Sequence, residues 1–144
     1  MKLTAREQFI DIVERQYFGS MAAASPERIL PLLTEDAVLT GFYGINAPRI
    51  VRRHPAAGEE SFVGFLGGLL TNFTLTYSQF VHFVDLERQQ CACTFRLVIT
   101  PRDVASTLPE RRLRNCNFFR FDDGLIGAIA AYFADPLVDA NPWP

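Results

Sequence analysis

Apolar positions recur at helical steps near the start of the chain and fall to a two-residue period from residue 73 onward. Thr4 and Glu7 stand at capping-box spacing, and behind them Phe9, Ile12, Val13, Tyr17 and Met21 recur every three or four residues. This predicts an amphipathic helix of about five turns ending near Ala24. Ser25-Pro26 then offers a cap followed by proline at the first helical position, which predicts a short helix through Ile29, Leu30 and Leu33. Glu35-Asp36 punctuates it, and a short strand follows at 37–40. Residues 42–58, rich in Gly, Pro and Arg, read as an excursion with a strand at 49–53. After Gly58 a third helix carries Phe62, Phe65, Leu66, Leu69 and Leu70 on one side. Gly64, Gly67 and Gly68 weaken it and suggest close approach to a sheet.

Four strands are predicted at 73–86, 90–100, 112–121 and 125–134, with Asp122-Asp123-Gly124 as the tight turn between the last two. A polar loop, 101–109, joins the middle pair. The tail from Asp135 holds three prolines and is expected to lie over the surface, with Asp135 fixing the strand end. Helices first and antiparallel strands after give an α+β fold, with helices on one side of a curved sheet.

Length and composition narrow the function classes. The 144 residues suit one domain, 1–144, with its core at about 5–138. A net charge of −2 gives no electrostatic footprint for nucleic acid. The segment 61–84 lacks Asp, Glu, Lys and Arg, but its Thr, Asn, Ser, Gln and His residues are too polar for hydrocarbon, so no membrane span is predicted. The charged N-terminus has no apolar h-region and predicts no secretory leader. Cys91, Cys93 and Cys116 make an odd count, which argues against a disulfide framework and for a reducing, cytoplasmic setting. Cys91 and Cys93, two apart on a strand, share a face as small buried side chains. No second pair of Cys or His stands at zinc spacing, so neither a metal nor a cofactor is expected. Thirteen phenylalanines predict a core or cavity wall built from rings.

The order of these elements, with the 29–38 run Ile-Leu-Pro-Leu-Leu-Thr-Glu-Asp-Ala-Val, the Gly-Glu-Glu-Ser helix start at 58–61, the 119–126 run Phe-Arg-Phe-Asp-Asp-Gly-Leu-Ile and the 131–135 run Ala-Tyr-Phe-Ala-Asp, resembles the nuclear transport factor 2-like superfamily, nearest its SnoaL-like polyketide cyclase branch. The resemblance spans roughly residues 5–138. It implies a cone-shaped curved antiparallel sheet wrapped on about three N-terminal helices, a cystatin-like α+β barrel with a deep pocket at its open end. It also implies a homodimer through the outer sheet face. Fold likeness leaves the reaction open, because the family holds isomerases, epoxide hydrolases, cyclases, dehydratases and members without chemistry.

Carried over residue by residue, the isomerase pattern puts its helix tyrosine on Tyr17 and its second oxyanion donor on Asn117. Its carboxylate base falls on Gly41, which has no side chain, so proton shuttling needs His54, Asp36 or Glu59 to reach the pocket. The epoxide-hydrolase set falls near Asn115, Asn117 and Ala131 and retains no carboxylate, which excludes that chemistry.

Strand alternation adds an independent expectation: if Asn117 faces inward, Leu113, Asn115, Phe119 and Phe121 share its face. Each candidate has two readings. Tyr17 is a packed core tyrosine or a pocket donor. Asn115 and Asn117 satisfy local backbone groups or line the pocket. His54 belongs to a solvated basic loop or acts as base, with Asp36 behind it. His82 is a structural strand histidine. Arg96 forms a cross-sheet salt bridge or clamps a ligand oxyanion. Phe65, Phe119 and Phe121 supply pocket wall. Together they predict a pocket for a hydrophobic, oxygen-bearing small molecule, catalytic through cofactor-free acid–base chemistry or else a binding or protein-interaction module.

Overall fold

In the computed structural model, residues 1–43 and 47–134 are described; Asp135 and the proline-rich tail lie outside them. The N-terminal helix is continuous but changes winding: α over Arg6–Ile10, π over Asp11–Phe18, and α again over Gly19–Ala22. Its start is capped by Gln8, whose Oε1 accepts from the Thr4 and Ala5 amides at 2.6 and 3.0 Å, rather than by the Thr4–Glu7 pair. The π segment has a physical consequence. An i→i+5 turn, seen where the Gly19 amide reaches the Glu14 carbonyl, winds wider than an α turn. Tyr17 and Phe18 are both buried as a result, where 3.6-residue periodicity brought in only Tyr17.

The predicted short helix resolves into two single 3₁₀ turns, Pro26–Arg28 and Leu30–Leu32. Leu33 already begins β1 (Leu33–Tyr43). The strand starts earlier than expected and takes in Asp36. β2 (Arg49–Arg52) and β3 (Glu60–Ser61) follow, then the second helix, Phe62–Asn72, capped by Ser61 Oγ accepting from the Gly64 amide at 3.0 Å. The remaining strands are β4 (Phe73–Asp85), β5 (Gln90–Pro101), β6 (Arg111–Asp122) and β7 (Leu125–Phe133).

All seven strands form one curved sheet in the order β3-β2-β1-β7-β6-β5-β4. The sheet is open and mixed, not wholly antiparallel: β1 runs parallel to β7, and β2 parallel to β3. The β4–β7 meander returns to the free edge of β1 with its last strand pointing the same way as β1, so that junction has to be parallel. The fold is otherwise the expected one, a cystatin-like α+β architecture with helical segments on the concave side.

The sheet's inner face alternates as expected: on β6, Leu113, Asn115, Asn117, Phe119 and Phe121 are buried and their neighbours Arg114, Phe118 and Arg120 are exposed. One bulge breaks the alternation on β4. Ser78 pairs with Arg96 and Val81 with Thr94, leaving two β4 residues against Phe95, and Gln79 there takes φ +57°. Tyr77 and Phe80 therefore both turn inward and pack around Phe18 and Phe95, with ring centroids 4.7–5.6 Å apart.

Candidate functional site

At one end of the cone the rings close: Phe9 meets Phe121 edge-on at 5.0 Å, and Phe119 and Ile126 are fully buried. At the other end, where β6 begins and β7 stops, they do not. A cavity of about 540 Å³ opens there, within the ~300–1,000 Å³ usual for small-molecule pockets. The N-terminal helix contributes Tyr17, Phe18 and Met21 to its wall, and the second helix contributes Phe65, Leu66 and Leu69. The sheet supplies Leu39 and Tyr43 from β1, Phe95 and Leu97 from β5, Leu113, Asn115 and Asn117 from β6, and Ala131 and Phe133 from β7. Arg49, Arg111, Leu108 and Pro109 ring the mouth.

Strand register explains why the wall is hollow there. Gly41 pairs with Ala131, Ala131 with Asn117, and Asn117 with Cys93, so one row across the inner face carries only small side chains. The row below it, Leu39–Ile129–Phe119–Cys91, is bulkier. Above it Tyr43 pairs with Phe133, and Asn115 with Phe95. Tyr43 and Phe133 are stacked at 4.6 Å, nearly parallel at 8°.

Polar groups are few. Tyr17, 2% exposed, sets its ring edge-on to Phe119 at 5.5 Å. Burial raises its phenol well above the usual value, and neighbouring Cys93 adds to this. Tyr77 is raised by burial too, and further by Tyr17 beside it. Tyr43 is raised by burial, with Arg49 pulling it down and Glu60 pushing it up. At neutral pH these phenols are hydrogen-bond donors and not bases. The Asn115 Oδ1 accepts from the Ala134 amide at 3.3 Å. The Asn117 Oδ1 is different: among the described residues it is the buried side-chain oxygen with no partner, on a residue 5% exposed. Such an orphan costs about 1–3 kcal/mol unless something meets it. At the mouth Arg49 grips Glu60 bidentately, at 2.6 and 2.5 Å, and lies 4.5 Å over the Phe65 ring.

Tyr17, Asn115, Asn117 and Phe65 line the one cavity together. Five other candidates do not. His54 is exposed and its Nε2 lies 2.7 Å from Glu35 Oε2, within a surface cluster that also holds Arg53. Asp36 is exposed and accepts from Thr34 Oγ1 at 2.8 Å. Neither lines the cavity, so neither reaches the place where a base is needed. Arg96 points to the outer face, because Phe95 and Leu97 on either side of it are buried inward; its cross-strand neighbours are Ser78 and Arg114. Phe119 and Phe121 face inward as predicted but belong to the closed, packed end. His82, expected to be structural, packs against Phe80 and lies 2.6 Å from Glu14 Oε2, joining β4 to the N-terminal helix.

The sequence reading missed Tyr43, Tyr77 and the mouth arginines. Tyr43 carried a usable signal, since two residues beyond Gly41 on a strand it shares that residue's face. Tyr77 did too, since it stands two residues beyond Leu75 on the same strand face; the bulge at Gln79 comes after it and brings in Phe80. Among the described residues no three His, Cys, Asp or Glu side chains gather as metal ligands, and no helix is long and apolar enough to cross a membrane.

No family model matches the chain, and no curated protein matches it. Solved structures do. A candidate polyketide cyclase from Xanthomonas campestris pv. campestris is 19% identical, with 88% of this chain and 90% of that one aligned at a TM-score of 0.66. A protein of unknown function with a cystatin-like fold from Methylobium petroleophilum PM1 is 16% identical over 96% of this chain and 84% of that one, at 0.68. BvnE pinacolase from Penicillium brevicompactum is 15% identical over 93% and 88%, at 0.67. At these identities the likeness establishes architecture alone: this chain has a cystatin-like fold.

Proposed function

We propose that the protein binds a hydrophobic, oxygen-bearing small molecule of aromatic or polyketide-like character in the open end of the cone. The observation that carries this is the unpartnered Asn117 amide oxygen on the wall of an apolar cavity that also takes in the Tyr17 ring. Tyr17 donates to the ligand's oxygen, and a ligand hydroxyl donates in turn to the Asn117 Oδ1. Binding is the first reading, because no carboxylate or imidazole is among the described residues lining the cavity. A second reading, cofactor-free isomerisation, cyclisation or dehydration, is favoured by phenols held protonated against a developing enolate oxygen. It requires the proton to move through water or the ligand itself. The neighbours named as cyclase and pinacolase lend it support.

The test is thermal stability of wild type and Tyr17→Phe against a panel of phenols and flat polycyclic ketones. A ligand at 100 times its Kd adds ~2.7 kcal/mol to wild type. That gain should shrink or vanish in Tyr17→Phe; a panel that shifts neither protein sinks the reading. Turnover of a stabilising ketone would promote the second reading over the first.

The outer sheet face supports a homodimer. Phe83, Phe118 and Tyr132 are exposed there, and the Tyr132 ring stacks on Phe42 at 4.6 Å. Sedimentation should give a dimer that Phe118→Arg splits; a monomeric wild type removes the idea. Three unpaired cysteines suit a cytoplasmic setting.

A further inference from the structure

Tyr77 brings a phenol from β4 to the cavity wall. A phenylalanine would fill the same space, so the hydroxyl is what the position adds. The ring is held by Phe18 and Phe95, with centroids 4.8 and 5.6 Å from its own. Leu97 stands opposite it on β5, and Leu113 beyond on β6, so the rest of its row is apolar. The bulge that follows at Gln79 is tied on the outer face by Arg114, whose Nη2 donates to Gln79 Oε1 at 2.9 Å. A donor on a ring held this way loses little freedom when a ligand meets it.

Tyr17 and Tyr77 pack against the same Phe18 ring, at 5.0 and 4.8 Å, and both line the cavity. The Tyr77 phenol is near enough to Tyr17 to feel its charge. Among the described residues neither hydroxyl has a hydrogen-bond partner. Burial keeps both protonated at neutral pH, so both are donors. Two neighbouring donors suit a carbonyl oxygen, which has two lone pairs and no hydrogen of its own. They suit a phenolic ligand less well. Its oxygen carries a hydrogen, which it can give to the unpartnered Asn117 Oδ1 while accepting from Tyr17 alone.

We infer that Tyr77 is a specificity-determining residue of this cavity, its hydroxyl donating beside that of Tyr17 to the carbonyl oxygen of a flat aromatic ketone. This rests on the reading of the cavity as a small-molecule site. It narrows that reading from any oxygen-bearing ring compound to one with a carbonyl.

The experiment is calorimetric titration of three ligands into wild type, Tyr77→Phe, Tyr17→Phe and Tyr132→Phe, with thermal melts to check each fold. 2-Acetylnaphthalene carries the carbonyl. 2-Isopropenylnaphthalene has the same shape with a methylene in place of the oxygen, and 2-naphthol carries a hydroxyl instead. Tyr77→Phe keeps the ring and removes only its hydroxyl. It should weaken 2-acetylnaphthalene about fivefold, the loss of one ordinary hydrogen bond, and leave the other two unmoved. Tyr17→Phe should weaken the ketone and the naphthol alike. Tyr132→Phe, the same change on the outer face, should leave every Kd unmoved. An equal loss for all three ligands in Tyr77→Phe would make the residue wall and not donor. An unchanged ketone Kd in Tyr77→Phe, with a loss in Tyr17→Phe, would make Tyr17 the lone donor. Either result overturns this inference and leaves the cavity reading standing. Failure of wild type to bind any of the three at any soluble concentration would overturn both.

Discussion

The two ends of the cone are built from the same strands with the same alternation, yet one is solid and the other hollow. At the closed end large side chains face one another, Phe9 against Phe121 across 5.0 Å, with Ile126 fully buried beside them. At the open end the corresponding inward positions on β1, β7 and β6 are Gly41, Ala131 and Asn117. Alternation decides which face a residue takes. Volume, summed along a row that crosses several strands, decides whether the space behind that face is filled. Protein interiors otherwise pack like organic crystals, so a hollow of about 540 Å³ marks a place where packing has been given up.

The largest effect should come from cutting the solid end. Phe121→Ala removes a ring from a packed interior and should cost ~3–5 kcal/mol, the usual loss for a buried phenylalanine. At this chain length that lowers Tm by roughly 2–4 °C per kcal/mol. Leu69→Ala trims the cavity wall instead. It widens a space that already exists, so ~1–2 kcal/mol is expected. Paired melts read the contrast directly, and equal losses at the two positions would mean that the open end is as tightly packed as the closed one.

The second effect is electrostatic and works through burial. Cys91, on the row at the closed end, is pushed up to about 12 by burial, and Cys93, Tyr17 and Tyr77 are raised as well. Each folded-state value lies above the unfolded one. The stability these groups contribute is whole below the unfolded value and is lost as pH rises towards the folded one. The unfolded chain begins to gain from thiolates near pH ~8.5–9 and from phenolates near ~10. Denaturation midpoints should therefore hold steady at neutral pH and fall above pH ~9, by ~1.4 kcal/mol per pH unit for each group being titrated. Tyr17→Phe should make the slope above pH ~10 shallower by one such increment. A flat profile up to pH ~11 would show these side chains to be wet, and with them the wall they belong to.

How much of this was legible beforehand follows from the range over which each feature is encoded. Alternation is local, and Leu113 through Phe121 showed it plainly. The same rule, applied to Cys91, Cys93, Phe95 and Leu97, already turned Arg96 outward; its charge in an apolar run was the distraction. Asp36 and His54 were candidates because they titrate, and nothing local said that both would end on the surface beside Thr34 and Glu35. The small row is non-local. Gly41 and Ala131 are ninety residues apart, and only the parallel β1–β7 register sets them side by side. The π turn and the Gln79 bulge each shift the inward set by one residue, bringing in Phe18 and Phe80. Neither interrupts the apolar pattern enough to be read from it.

The smallest effect separates the two helices that cover these ends. The N-terminal helix, with one glycine in its seventeen residues, packs rings onto the closed end and the inner wall. The second helix has three glycines in eleven residues and lays Phe65, Leu66 and Leu69 on the cavity. Its glycines were expected to admit a close approach to the sheet, yet a Cβ on Gly67 or Gly68 would meet nothing within 4 Å. No contact requires glycine there, and both positions are helical. Gly68→Ala should stabilise the protein by up to ~1 kcal/mol, through lower backbone entropy in the unfolded chain and better helix propensity. The melt gives the sign. Titration of 2-naphthol into the same variant tells what the glycines do. An unchanged Kd with a raised Tm would mean the cavity is formed before the ligand arrives. A weaker Kd with a raised Tm would mean the wall has to give for the ligand to enter, and that softness is confined to the hollow end.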